Sequence, residues 1–466
     1  MRTKEDFLKS ISDGRKVYYR GRIIDNIALH PTLKIAAMHA AKLYEYSNRT
    51  YEDPQFGKIS RFFKIPVSSQ DLLERYKLIY DLTMYCNGIF NISQAVGSDA
   101  LFALLITTKT VDKKFGTNYY ERTKKYFEKI VKEDLTIALA QTDVKGDRSK
   151  RPFEQVDPDM YLRVVATKSD GIIVRGAKAH TTQSAVSDEI IVIPTRTMKD
   201  NDRDYAISFA LPVNTSGLKL YIRPIDEVEG NTSAVISKKD YEFETLTIFE
   251  DVFVPWDRVF LFKEYEYAGF LANLFATYHR FTALSYRSAM MNLIIGSSIL
   301  VARSNGIENE KHVRDNIIDM ITYKEILRSC AIAAAINPIY IEGLAIPNPI
   351  IVNVGKLFAN MNFHNMIKNL IDIAGGIIST LPSREDFESE EGKNLIKYLR
   401  GAVEGEERVK AIRLAKEISC SPLTGYLMTL MLHAEGSMEA SKIELYRSYD
   451  YSEAENLIKN ILNDPQ

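Results

Sequence analysis

Cysteine is scarce in this chain. Its three residues, Cys86, Cys330 and Cys420, lie far apart and form no C-x-x-C pair. That spacing argues against a disulfide framework and against a closed structural zinc site, so no bound metal is expected. Net charge is nearly absent too, at −1. A chain so balanced has no overall basic footprint for nucleic acid or for an anionic membrane surface. The start, MRTKEDFLKSISDGRK, holds no apolar core of signal-peptide length. The longest apolar runs, such as MMNLIIGSSILVA, fall short of the ~20 residues that span a bilayer. A soluble cytoplasmic protein without membrane or nucleic-acid partner is the expectation. No G-x-x-x-x-G-K-[ST] loop is present, and no G-x-G-x-x-G opens a βαβ unit. Repeats and low-complexity tracts are absent as well.

What is present is length and aromatic mass. The 466 residues, with 26 Tyr and 21 Phe, suffice for a large core in two or three domains or in one large enzyme subunit. Three regions are expected: an N-terminal helical domain at 1–140, a middle β domain at 141–265 and a C-terminal helical bundle domain at 266–466. HPTLKIAAMHAAKLYEYS and SSQDLLERYKLIYDLTMYCNGIF repeat apolar residues at helical spacing, with Ser68 or Ser69 as N-cap of the second. The period then shortens. MYLRVVATKSDGIIVRGAKAH reads as two strands turned at Ser169-Asp170-Gly171, and EIIVIPTRT, DYAISFALPV, LKLYIRPI and ETLTIFEDVFVP follow as β-rich runs. A barrel or a sandwich would accommodate them. Helical patterns return after residue 265 and include GEERVKAIRLAKEISCSPLTGYLMTLMLHAEGS as one long segment.

Five places offer chemistry. QTDVKGDRSKRP, at 141–152, concentrates charge around Gly146, where the backbone can approach a ligand and Lys145 and Arg148 can pair with phosphates. A solvated loop would look the same. VRGAKAHTTQS, at 174–184, places His180, Thr181 and Thr182 at a strand end, where hydroxyls could meet a planar heterocycle or simply solvent. DIAGGIIST, at 372–380, breaks a helix at Ala374-Gly375-Gly376, either for a close approach or as a C-cap. Glu244, in a β-rich run, becomes a candidate base if burial raises its pKa. Finally TYHRFTALSYR, at 277–287, sets His279 and Tyr286 seven residues apart on one helix face. From the residues alone His279 is a metal ligand, a proton-transfer group or packing.

Together these clusters carry a resemblance. GAKAHTT, TDVKGDRS, DPDMYLRVV, DGIIVRGAK and DIAGG resemble the flavoproteins that include 4-hydroxyphenylacetate 3-hydroxylase and 4-hydroxybutyryl-CoA dehydratase. GRKVYYRGRIIDNIALHP and FEDVFVPWDRVFL match in kind. The resemblance spans nearly the whole chain and is closer to the dehydratase branch. It implies an α+β, acyl-CoA-dehydrogenase-like fold: a helical domain, a middle β-barrel domain and a helical bundle, assembled as a homotetramer (a dimer of dimers). It also implies FAD between the β domain and the bundle. Carried over by position, the flavin contacts would be Gln141, Thr142, Asp143, Lys145, Gly146, Asp147 and Arg148, then His180, Thr181 and Thr182, then Ala374, Gly375 and Gly376. A dinucleotide's pyrophosphate needs such cations and backbone N–H groups.

The chain also departs from both branches. The dehydratase branch holds a [4Fe–4S] cluster with three cysteines and a histidine. Those cysteine positions fall at Asn91, Ala95 and Tyr286, and only the histidine remains, as His279. Amide, methyl and phenol groups cannot stand in for thiolates around iron. A glutamate expected just before His433 is missing from TLML, whereas Glu244 matches an acidic position of the branch. The hydroxylase branch's Arg, Tyr and His are likewise missing from VGSDA and TIALA. The resemblance therefore implies an FAD-dependent, two-component monooxygenase that uses flavin reduced by a separate reductase. Its substrate would be small, aromatic or not, and His279 would act as acid/base with help from Glu244. One alternative is a clusterless relative of the dehydratase and vinylacetyl-CoA isomerase, acting on a short acyl-CoA. The other is a flavin-binding homologue without catalysis, since a motif alone does not fix function.

Overall fold

Periodicity places helix at both ends of the chain and strand in the middle, and the structure follows it with local exceptions. The computed structural model describes residues 1–226, 228–229 and 233–463. The N-terminal part runs α1 (Lys4–Ser10), β1 (Lys16–Tyr19), β2 (Arg22–Ile24), α2 (Lys34–Glu45), β3 (Thr50–Asp53), β4 (Gly57–Ser60), α3 (Ser69–Tyr85), α4 (Ala95–Phe115) and α5 (Tyr119–Glu133). Ser68 caps α3, its Oγ accepting from the Asp71 N–H at 3.2 Å. Helix was expected throughout this region, and β1 to β4 correct that. Each has only three or four residues, too few for a period to be legible.

The middle contains β5 (Ile137–Ala140), β6 (Arg163–Thr167), β7 (Gly171–Lys178), β8 (Glu189–Val192), β9 (Ile207–Pro212), β10 (Leu218–Ile222), β11 (Thr245–Pro255) and β12 (Val259–Phe262). They form two sheets. One has the order β2-β1-β10-β11-β7-β6 and the other β12-β9-β8-β5. The β6–β7 hairpin turns where Ser169-Asp170-Gly171 signalled it. In the second sheet β5, β8 and β9 are buried on both faces, which is why they read as unbroken apolar runs. β11 alternates buried and exposed positions and slips register between Phe249 and Val252, a bulge with Asp251 at φ 52°. Phe209 of β9 meets Phe249 of β11 edge to face at 5.9 Å, so the two sheets share a core.

The C-terminal part holds α6 (Ala268–Asn305), α7 (Lys311–Ile336), the short hairpin β13 (Ile339–Ile341) and β14 (Leu344–Ile346), α8 (Pro349–Ala374), α9 (Ile377–Thr380), α10 (Arg384–Glu388), α11 (Gly405–Ser419), α12 (Pro422–His433), α13 (Met438–Ser448) and α14 (Ser452–Asn463). Residues 405–433 were expected as one helix. Pro422 splits them, because it has no N–H to continue the ladder and sits instead at the first position of α12 behind the Ser421 cap. α6 is long and apolar enough to cross a membrane by length and composition. Its apolar surface is covered here by α3, α4, α7, α8 and α11, so it forms the axis of the bundle.

Candidate active site

Where β5 ends, the chain leaves the sheet as the loop Gln141–Arg148. The end of β7 holds it in place. The Ala179 N–H donates to the Thr142 carbonyl at 2.8 Å, and Lys178 Nζ donates to the Gln141 carbonyl at 2.8 Å and to Asp143 at 2.6 Å. Thr195 Oγ1 adds bonds to the Gln141 carbonyl and to Asp143. Asp143 and Lys178 are both buried. Their charges are spent on each other, so Asp143 shapes the loop and leaves ligand contact to its neighbours. Gly146 sits at φ 51°, and a Cβ there would come within 2.5 Å of Gln155 Oε1, which accepts from the Asp147 N–H. Lys145, Arg148 and Arg196 form no ion pair among the described residues. Partial burial and the charges of Arg148 and Arg196 hold the Lys145 ammonium below its usual range. An unpaired cation set on a braced loop is a fit for a diphosphate.

The second loop crosses beside the first. His180 is exposed at φ 55°, while Thr181 is buried and bonded to the Thr245 carbonyl and the Thr247 hydroxyl. Thr182 turns the other way. Its hydroxyl lies 2.9 and 3.0 Å from the two carboxylate oxygens of Glu244, and the Tyr426 hydroxyl of α12 reaches the same carboxylate at 3.1 Å. A cavity of about 90 Å³ opens at this point between β domain and bundle. Thr182, Glu242 and Glu244 line one side, His279, Tyr286 and Met290 of α6 another, and Leu427, Met431 and Glu435 a third. Glu244 is half-buried. The carboxyl with a displaced titration is Glu242: burial, and secondly Glu244, push it well above the usual range against the opposing bond from the Ile92 N–H.

His279 stacks on Phe275 at 5.0 Å. Its Nδ1 is sealed from solvent with no hydrogen-bond partner and points toward the Asp99 carboxylate at 3.5 Å. Asp99 is fully buried, paired with Arg75 at 2.6 Å and bonded to Thr282 at 2.8 Å. A proton on Nδ1 is favoured by that neighbour, which leaves the Nε2 lone pair for the cavity side. Asp99→Asn is expected to lower kcat about tenfold with little change in KM, because it disturbs the tautomer and not the binding wall. Steady-state kinetics checks this; an unchanged kcat would remove Asp99 from the site.

At the far end of the cavity a sharp turn drives one side chain inward. α12 stops at His433, and Glu435 adopts φ 54°, a left-handed conformation that costs a non-glycine residue energy. Its side chain is buried, accepting from Tyr286 Oη at 2.6 Å and from Arg287 at 2.6 Å, with Lys356 Nζ at 3.5 Å. Despite burial, Arg287 and Lys356 bring the Glu435 carboxyl down to about 2. Burial and Arg287 bring the Lys356 ammonium down to about 7.

One expected cluster stays apart. Gly375 ends α8 at φ 71° with open space where a Cβ would lie. No hydrogen bond or ion pair among the described residues joins Ala374, Gly375 or Gly376 to 141–148 or 180–182.

Known proteins fit this arrangement along its full length. Residues 3–261 match the family described as 4-hydroxyphenylacetate 3-hydroxylase N terminal, and residues 268–463 match its C-terminal counterpart. The chain belongs to the 4-hydroxyphenylacetate 3-hydroxylase family. The 4-hydroxybutyryl-CoA dehydratase/vinylacetyl-CoA-Delta-isomerase of Clostridium aminobutyricum is 33% identical, over 98% of this chain and 99% of its own length. The 4-hydroxyphenylacetate 3-monooxygenase oxygenase component of Thermus thermophilus is 27% identical, over 87% of this chain and 85% of its own. Among solved structures, the oxygen-tolerant archaeal 4-hydroxybutyryl-CoA dehydratase from N. maritimus superposes with a TM-score of 0.93 at 30% identity, covering 100% of this chain and 95% of that one. The oxygenase component of 4-hydroxyphenylacetate 3-monooxygenase complexed with FAD superposes with a TM-score of 0.91 at 24% identity, covering 100% and 99%. The expected acyl-CoA-dehydrogenase-like fold with a C-terminal helical domain holds.

Within that family fold, the iron–sulfur positions are filled by other chemistry. Tyr286 stacks on Phe90 at 4.3 Å and donates to Glu435, and the Asn91 amide donates to the His39 carbonyl at 2.7 Å. Cys86 lies close by, 3.9 Å from the Asn91 amide, with its thiol pushed up to about 12 by burial, and it is one thiol where the cluster takes three. His39, Cys86 and Asp240 do place ligand atoms within 4.8 Å of one another. Those atoms are already used: His39 bonds Asp240 at 2.9 Å and the Phe90 carbonyl at 2.8 Å, and Asp240 also takes Lys42 and Asn87. The triad is a bonded polar network that reaches the cavity lining through Asp240. A cluster does not fit here.

Sequence reading missed Asp99, Glu242, Arg196 and Glu435. Asp99 left a usable signal, as the lone charge in the apolar helix AVGSDALFALLI. Glu435, in HAEGS, read as an ordinary helix end; only the turn at φ 54° shows that it points inward. It supplies a carboxylate two residues after His433, whereas the expected absence concerned the residues before it.

Proposed function

We propose that this chain is an FAD-dependent oxidoreductase of the two-component monooxygenase type, working on a small substrate with flavin reduced by a separate enzyme. The observation that carries this reading is one cavity lined by Thr182, Glu244 and His279, with Thr182 three residues beyond Ala179, whose N–H bonds the cationic loop at the Thr142 carbonyl. Lys145, Arg148 and Arg196 would hold the FAD diphosphate. Reduced FAD, when bound, would supply the electrons for activating dioxygen. His279 Nε2 would take a proton from a substrate hydroxyl, and Asp99 would hold the tautomer. The Leu427, Leu430 and Met431 wall would keep water away. A homotetramer is part of the proposal. No hydrogen bond or ion pair among the described residues joins the Gly375 turn to the other loops, and α14 leaves Leu457, Ile458, Ile461 and Leu462 exposed on one side, so a neighbouring copy would complete the site and cover the helix.

The test has two stages. Purified protein should bind FAD with a yellow flavin spectrum, and Lys145→Ala/Arg148→Ala should weaken that binding by about tenfold or more. A broad brown absorbance, or no FAD binding, would sink the reading. With reduced FAD and labelled dioxygen, one labelled oxygen atom should enter a small phenol. The 33% identity to the dehydratase favours a second reading, double-bond isomerisation of a short acyl-CoA by His279. A double-bond shift without oxygen, and no labelled product, would select it.

A further inference from the structure

The cavity wall is rich in acids whose hydroxyl neighbours are already committed. Thr182 and Tyr426 donate to Glu244, and Tyr286 donates to Glu435. Asp240 and Glu242 complete a set of four carboxyls on the lining, which among the described residues contains no lysine and no arginine. The nearby cations stand behind the wall and are engaged there: Lys42 with Asp240, Arg287 and Lys356 with Glu435, and Arg223 over the Tyr426 ring at 4.2 Å with a bond to the Tyr241 hydroxyl. His279 adds a nitrogen lone pair, since its Nδ1 faces Asp99. The donors that normally receive an anion are therefore missing from this surface, and acceptors remain.

We infer that the substrate group entering this cavity carries no negative charge and donates hydrogen bonds: a protonated amine, or a neutral hydroxyl or amide, but not a carboxylate. This rests on the proposed function only in taking the cavity as the substrate site. A carboxylate placed beside Glu244 would meet like charge, with Arg223 held on the outer side of Tyr426 and no cation on the described lining itself, whereas an ammonium or an N–H would gain the bond that Glu244 can still accept.

The test is equilibrium binding by calorimetry to the FAD-loaded full chain. One ligand series shares a 4-hydroxyphenyl ring and ends in carboxylate, carboxamide or ammonium; a second carries the same three ends on a four-carbon chain. The amide or amine should bind at least about tenfold tighter than the matched carboxylate in the series that fits, and Glu244→Gln should shrink the amine's advantage. Equal or tighter binding of the carboxylate overturns the inference, and so does failure of all six to bind. If Glu244→Gln does not fold, the wild-type order decides alone. Because the readout is binding, ligands that bind in the expected order but are never oxygenated would count against the proposed function and leave this inference standing.

Discussion

Replacing His279 with alanine should lower turnover by at least about 10²-fold and leave FAD binding within a few-fold of the parent. The argument starts from the two ring nitrogens. Nδ1 is sealed and faces Asp99, so Nε2 is the nitrogen left for the cavity. Among the lining residues the other candidates for proton acceptance are carboxyls: Glu435 is tied up by Arg287 and Tyr286, and Asp240 by Lys42 and His39. Glu244 remains as a helper and already receives two hydroxyls. The cations that would hold FAD are Lys145 and Arg148 of the first loop and Arg196 beyond β8, none of which depends on the imidazole. Turnover and flavin titration measured on one preparation separate the two roles. Full turnover in the variant would return His279 to packing, its ring resting on Phe275.

The second large effect concerns stability. Glu435→Ala should destabilise the chain by about 3–5 kcal/mol, the cost of stranding buried charge. It leaves Arg287 without its 2.6 Å partner and Lys356 without its nearest carboxylate. Glu435→Gln should cost less, because the amide oxygen can still accept from Tyr286. The pH dependence follows in sign. The folded carboxyl, brought down to about 2, lies below its ordinary value of 4.5. Its stabilising contribution is therefore complete above pH 4.5 and is lost as pH falls toward 2, since the unfolded chain binds the proton first. Chemical denaturation at neutral and acid pH should show the parent losing stability over that interval and Glu435→Gln losing less. A Glu435→Ala protein as stable as the parent would mean that solvent reaches this turn.

How much of this was legible beforehand depends on the kind of signal. Helices such as α3 and strands such as β7 announce themselves by period and caps. β1 to β4 do not, because three or four residues carry no period. The loops 141–148 and 180–182 showed as polar clusters, yet which members face a ligand was hidden. Asp143 and Thr181 turn inward because Lys178, Thr195 and Thr247 meet them from distant parts of the chain. Glu244 and Glu242, two residues apart, differ for the same reason: one faces Thr182 and Tyr426, the other only the Ile92 N–H. Partners remote in sequence decided each case, and a single sequence does not list them.

The placement of β1 has a consequence for synthesis. Lys16 pairs with Lys219, roughly 200 residues later, and Arg15 donates to the carbonyls of Ala185 and Ser187. A nascent chain can pair β1 with β2 at once, but must carry the other edge of β1 unpaired while most of the β region emerges from the ribosome. Removing residues 1–24 would then do more than shorten a terminus. It would leave β10 as a bare edge, a template for pairing between molecules.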